Sequence, residues 1–294
     1  MNGAPVKINT ILLTFIMLMG PTTLAVADEG FSIQNNIPDY QDIPLCASSD
    51  DFINSNLKAD ISTGETMCLG ESAFLSFQSS GNWSGYVVGD NVYDIVEVKG
   101  AFTTPQISNT CSGSVWGAWV GIGGFNTQSL IQMGIQPINL GTPSQKYILW
   151  IEYLNAENRN PPIYITSRVY NSGVSLLLSV TYNLSTRKVV FYADDSVSST
   201  PFVDITSSDL SSYFDGSNAE WISEKPNLTA PIYDFGNMTF SDNQVKLSNG
   251  NWKEMGQEPG AAIVLKNSSG ATLAAPILSS ILPTQFTSHF YRCQ

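Results

Sequence analysis

The chain has 294 residues but only one histidine, His289, and only 13 lysines and arginines together. Charged residues make up 13% of it, about half the usual share of roughly 25%. These shortages exclude whole chemistries. A Ser-His-Asp triad would have to use His289, yet no serine stands in a Gly-x-Ser-x-Gly turn; Ser84 and Ser175 come nearest and do not match. A zinc protease needs several His or Cys ligands, and Cys46, Cys68, Cys111 and Cys293 show no metal-site spacing. There is no Asp-Thr-Gly or Asp-Ser-Gly to hold a paired-aspartate site, and Gly121-Ile122-Gly123-Gly124 follows no βαβ pattern that would make it a phosphate loop. A net charge of -12 and a pI near 4.3 argue against a nucleic-acid partner. A hydrolase built from this inventory must run on carboxylates and neutral amides, and neither metal nor cofactor is expected.

What is present points to export and to acid. Lys7 precedes a short apolar core, 11–20, broken by Gly20 and Pro21, and Ala25-Val26-Ala27 is a small-x-small cleavage site. Residues 1–27 therefore read as a signal peptide, and no further stretch is a candidate to cross a membrane. Four cysteines in an exported chain suggest disulfides. Of three connectivities, Cys46–Cys68 with Cys111–Cys293 is favoured, because residues 28–77 are polar, with little periodicity, and read as a propeptide. Its removal then leaves a complete pair on each product. A protein with few ionic contacts also loses little as its carboxylates protonate. The expected localisation is an acidic extracellular medium, and the expected state a monomer.

From residue 78 onward short β-rich runs alternate with Gly, Asn, Pro and Ser clusters: Trp83–Val88, Ile95–Phe102, Val115–Ile122, Tyr147–Leu154, Tyr164–Val169, Val174–Tyr182, Lys188–Tyr192, Glu220–Ser223, Asn237–Phe240 and Ala261–Leu265. Such spacing predicts an all-β domain over 78–294, a sandwich or a barrel. One short helix is expected within 207–213. Five Asn-x-Ser/Thr sequons occur, at Asn82, Asn183, Asn227, Asn237 and Asn267.

Two runs carry chemistry. In Asn218-Ala219-Glu220-Trp221-Ile222-Ser223-Glu224, strand alternation puts Glu220, Ile222 and Glu224 on one face. In Leu130-Ile131-Gln132-Met133-Gly134-Ile135, Gln132 points away from Ile131, Met133 and Ile135. A glutamine among large apolar residues needs solvent or a hydrogen-bonding task. Glu224 and Gln132 are expected to meet across a sheet.

The order of motifs resembles the glutamic peptidase (eqolisin) family of secreted acid proteases. The segments that carry the resemblance are Asn82-Trp83-Ser84-Gly85, Phe102-Thr103-Thr104-Pro105, Trp119-Val120-Gly121-Ile122, Leu130 to Ile135, Tyr147 to Tyr153, Asn183-Leu184-Ser185-Thr186, Asn218 to Glu224, and Asp234 to Phe240. The resemblance implies two large antiparallel sheets packed as a lectin-like sandwich, with a catalytic pair, Gln132 and Glu224, on a concave face. It also implies that Trp119 and Glu152 line the substrate site. Glu220 is the fallback acid, or a structural one. Two positions depart from the family's usual pattern, Gly123 and Gln136, each standing where an Asp is customary.

The chemistry agrees with the resemblance. A carboxyl with a free pKa of about 4.3 exchanges protons readily in acid, and a Gln amide donates to an oxyanion without titrating. The expected partners are polypeptide substrates and the chain's own propeptide as inhibitor. Two other functions compete: a non-catalytic sandwich that binds glycan or protein on the same face, and a glycosidase using Glu152 and Glu224 as its carboxyl pair.

Overall fold

The computed structural model describes residues 75–294 apart from 90–93, 107–110, 126, 141, 143 and 279–283. The signal peptide, all but the last three residues of the expected propeptide, and Cys46 and Cys68 lie outside the described residues. In chain order the strands are β1 (Leu75–Ser80), β2 (Trp83–Val88), β3 (Ile95–Thr103), β4 (Gly117–Gly123), β5 (Leu130–Ile138), β6 (Lys146–Leu154), β7 (Ile163–Tyr170), β8 (Ser175–Asn183), β9 (Lys188–Asp195), β10 (Phe202–Ile205), β11 (Ala219–Glu224), β12 (Asn237–Leu247), β13 (Trp252–Glu254), β14 (Gly260–Lys266), β15 (Thr272–Leu278) and β16 (Phe286–Phe290).

They follow one hydrogen-bonded path, β10-β9-β8-β3-β12-β16-β15-β14-β2-β11-β4-β5-β6-β7, with β1 added to β14 and β13 to β12. Every pairing is antiparallel except β1 with β14. The path folds over on itself, so that β3, β8 and β12 lie against β4, β5 and β11. The expected all-β sandwich is therefore observed.

Alternation decides what each face meets. On β5, Ile131, Met133 and Ile135 enter the core between the layers, and on β11 Ala219 and Trp221 do the same. They pack there with Val98, Leu178 and Phe240 of the opposite layer. Burying a side chain of this kind is worth about 2 kcal/mol. A one-residue slip of β5 would exchange three such residues for Gln132, which is why its register is firm. On the outer face a second apolar cluster holds Trp83, Trp119, Leu130, Trp150 and Ile222. The strands of this layer are thus covered on both sides, and all seven residues of β4 are buried.

Three features refine the sequence reading. The expected helix is a single 3-10 turn, Ser211–Tyr213. Strand β1 begins three residues inside the segment read as propeptide, paired in parallel with β14 from Leu75↔Gly260 to Ser80↔Leu265. The C-terminal segment is integral: β14 lies beside β2, and β16 links β12 to β15 where the path passes from one layer to the other. The Cys111–Cys293 disulfide is formed, and it ties the approach to β4 to the end of the chain.

Candidate active site

Three rungs of the outer face build the site. On the first, Glu220 pairs with Gly121, Gly121 with Gln132, and Gln132 with Glu152. On the second, Ile222, Trp119, Gly134, Trp150 and Tyr164 stand side by side across five strands. On the third, Glu224 stands between Trp83 and Gly117. A cleft with about 650 Å³ of free space opens over these rungs, and its lining includes Gln132, Glu152, Glu224, Trp119, Trp150 and Tyr164.

The two side chains expected to meet line this one cleft, but neither is the other's hydrogen-bond partner. The Gln132 amide N–H donates to Glu152 Oε2 at 2.5 Å. This follows from the register: the two residues are cross-strand neighbours, whereas Glu224 belongs to a different rung on the far side of β4. Gln132 and Glu152 are both buried. The Gln132 Oε1 and the Trp150 indole nitrogen are also buried, and neither has a hydrogen-bond partner among the described residues. Both belong to residues of the cleft wall, and buried polar atoms of this kind ordinarily find partners.

Glu224 is held from the other side. The Trp119 indole N–H donates to Oε2 at 2.8 Å and the Asn82 amide to Oε1 at 3.4 Å. Burial pushes the Glu224 carboxyl above the usual range, and the donors Trp119, Trp83 and Asn82 oppose that rise. Glu152 is pushed further, to about 8, by burial first and then by the charge of Glu224, with the Gln132 hydrogen bond pulling back. The cleft therefore holds one carboxyl rich in donors and one that keeps its proton.

Trp119 belongs to the cleft lining, where the family resemblance put it. It is fully buried, and its one N–H is committed to Glu224. Glu152, expected as a substrate contact, is the partner of Gln132. Glu220 shares a rung with Gln132 but lies outside the cleft lining. It has no exposed surface, and among the described residues no side-chain donor is bonded to either oxygen. Burial pushes its pKa well above the carboxylate range; Asp215 adds to the rise, and only the Phe125 backbone N–H opposes it. Its setting outside the cleft favours the protonated form.

Gly123 sits at φ +85, and a Cβ there would lie 2.2 Å from Ser129 O. A side chain at this position, Asp included, requires a different strand end. Gln136 lines the cleft and accepts from the Tyr164 hydroxyl at 3.3 Å. Asn82, Gln136 and Tyr164 were not read as site residues from the sequence; for Asn82 the Asn-Trp-Ser motif was the available signal. His289 is remote from the cleft, on β16, where it bonds to Asn237 and packs against Tyr291.

The Peptidase A4 family profile matches residues 81–279. Among solved structures, scytalido-glutamic peptidase with a transition state analog inhibitor superposes with a TM-score of 0.57 at 20% identity, covering 71% of this chain and 98% of that one. The same enzyme with a peptide-based transition state analog gives 0.54 at 21% identity over the same shares. SCP-B, an eqolisin-family peptidase in complex with the tripeptide Ala-Ile-His, gives 0.53 at 20% identity, again over 71% and 98%. No curated protein sequence matches.

Proposed function

The chain belongs to the Peptidase A4 family of glutamic endopeptidases, and from that premise we propose that it is secreted, works in acid, and cleaves polypeptides with Glu224 and Gln132. The observation that carries the assignment is the single cleft in which the Gln132–Glu152 pair faces a Glu224 clamped by indole and amide donors. Family membership weighs against both the glycan-binding and the glycosidase alternatives.

Glu224 takes a proton from water as the water oxygen adds to the scissile carbonyl. The oxyanion that forms receives an N–H from Gln132. That amide nitrogen has two hydrogens and donates one to Glu152, which leaves the second for the oxyanion. Protonated Glu224 then gives its proton to the departing amine nitrogen, and the C–N bond breaks. A donor of this kind contributes roughly 3–4 kcal/mol at the transition state, and an amide keeps it at any working pH. Gln132 Oε1 and the Trp150 indole N–H offer an acceptor and a donor to the substrate backbone.

The test is cleavage of an unfolded protein across about pH 3–6, a range that spans the loss and return of the Glu224 proton. Glu224→Gln is expected to lower kcat by about 10³ or more, and Gln132→Ala by about 10²–10³, both with the fold intact. A folded Glu224→Gln that keeps activity within tenfold of the parent would end the assignment. The segment read as propeptide, 28–77, acts as an inhibitor removed on maturation, and the pairing of β1 with β14 favours a cut before Leu75 rather than after Phe77. Full activity in an uncut precursor would sink that part.

A further inference from the structure

We propose that Ser80 and Asn82 form a positioning relay for Glu224, in which the Ser80 hydroxyl locks the Asn82 amide so that its N–H faces the Glu224 carboxyl. The inference rests on the reading of Glu224 as the reacting group.

The lock follows from counting donors and acceptors. A serine hydroxyl has one hydrogen and two lone pairs. Ser80 Oγ accepts from the backbone N–H of Asn82 at 3.3 Å and from that of Trp83 at 3.1 Å. Its hydrogen goes to Asn82 Oδ1 at 2.8 Å. With all three directions used, Asn82 Oδ1 must face Ser80, and a flipped amide would set an N–H against a hydroxyl hydrogen. Asn82 Nδ2 is thereby turned to Glu224 Oε1, at 3.4 Å. The backbone is tied as well, since the Lys225 N–H, one residue beyond Glu224, donates to the Asn82 carbonyl at 2.7 Å. Both relay residues are buried.

Asn82 also heads a sequon, and the contrast with other sequons is informative. Asn183, Asn227 and Asn267 each accept, through Oδ1, the hydroxyl two residues further on, at 2.7, 2.8 and 2.8 Å. Asn82 accepts from Ser80 upstream instead, and Ser84 is fully buried and bonded to Ser288. The amide of Asn82 therefore serves the cleft and takes no glycan.

The other groups around Glu224 are few. Trp83 comes from β2 and Trp119 from β4; the neutral amides of Gln132 and Gln136 come from β5, Glu152 from β6 and the Tyr164 hydroxyl from β7. Lys225 is the nearest cation along the chain, and its Nζ is committed to the Leu228 carbonyl at 2.9 Å. An N–H on a carboxylate favours its ionised form, so losing the Asn82 donor raises the pH at which Glu224 ionises.

The experiment follows the Glu224 side-chain carboxyl carbon by NMR across pH, assigned by its loss in Glu224→Gln, alongside the pH dependence of kcat/KM. Asn82→Ala is expected to move the Glu224 titration, and the acid limb of kcat/KM, upward by about 0.5–1 unit. Ser80→Ala moves both less and in the same direction, and Ser80→Thr restores the parent values. The double variant shifts no further than Asn82→Ala alone, because Ser80 acts through Asn82. An unshifted titration in folded Asn82→Ala, additive shifts in the double variant, or a glycan on Asn82 in protein secreted by a glycosylating host would overturn the relay. Should Asn82→Ala not fold, Ser80→Ala against Ser80→Thr decides. The titration needs no turnover, so an active Glu224→Gln would defeat the assigned function while leaving the relay still decidable.

Discussion

At the scale of single residues, Glu152 and Glu224 show how one cleft keeps two carboxyls apart in character. Glu224 meets three donors; Glu152 meets one, and also the charge of Glu224. With its pKa pushed up to about 8, Glu152 is neutral wherever Glu224 works in acid, and its task there is to hold the Gln132 amide. Glutamine can do the same, since its carbonyl accepts the same N–H and it cannot ionise. We therefore expect Glu152→Gln to keep kcat within about tenfold in acid and to leave the acid limb in place. The limb that Glu152 imposes on approach to pH 8 should vanish. Glu152→Ala, which leaves the Gln132 amide unheld, should cost about 10²-fold in kcat. A pH series of kcat/KM on both variants checks this, and a collapse of Glu152→Gln to the level of Glu152→Ala would show that its proton takes part in the chemistry.

At the scale of elements, the second rung explains why a glycine stands at the centre of a sheet. Gly134 lies between Trp119 and Trp150. A Cβ there would approach Ala118 O to 2.4 Å, Trp119 Cβ to 2.5 Å and Trp150 Cζ2 to 2.8 Å. Backbone and two packed indoles cannot all give way, so Gly134→Ala should destabilise the fold by about 1–3 kcal/mol. It should also lower kcat at a temperature where the variant is still folded, because a displaced Trp119 no longer holds Glu224 Oε2. Chemical denaturation and kinetics on the same preparation check both halves. Much of this layer was legible from alternation: Gln132 against Ile131, Met133 and Ile135, and Glu220 and Glu224 against Trp221, face as the period of two requires. Strand β2 runs from Trp83 to Val88 as read. The strands that escaped notice lacked that signal. β15 contains Pro276, which argues against a strand. β16 reads Phe-Thr-Ser-His-Phe and β10 has only four residues. The pairing of Gln132 with Glu152 was not legible, because which residues share a rung depends on the hairpin joining β5 to β6 and not on either run. Asn82 announced itself only through the Asn-Trp-Ser motif; its link to Glu224 depends on a contact between β11 and the turn before β2, and on the Ser80 hydroxyl that orients its amide, neither of which is written in the motif.

At the scale of the whole molecule, three carboxyls with raised pKa values set the sign of stability against pH. Glu220, Glu152 and Glu224 are each pushed up, with burial the largest cause. Below their ordinary value of 4.5 such a group is protonated in both folded and unfolded chains and contributes no dependence. Above it the unfolded chain releases the proton and the folded chain keeps it. Stability then falls by up to about 1.4 kcal/mol per pH unit for each group until the folded pKa is reached; for Glu152 that window runs from 4.5 to about 8. Asp195 acts with the opposite sign. Burial raises it, but hydrogen bonds involving Ser198, Val197 and Tyr170 outweigh that and hold it low, so its contribution is present above 3.8 and is lost only as pH falls through its depressed value. The sum places the most stable condition on the acid side, with a decline toward neutrality. Glu220 isolates the effect because it lies outside the cleft and carries no assigned chemistry. Glu220→Gln cannot ionise, so its melting temperature should decline less steeply than the parent's between pH 5 and pH 8, with little difference in slope below pH 4.5. Calorimetry across that range measures it. Parallel curves for the two proteins, offset by a constant amount at every pH, would mean that the buried carboxyl does not keep its proton in the folded state.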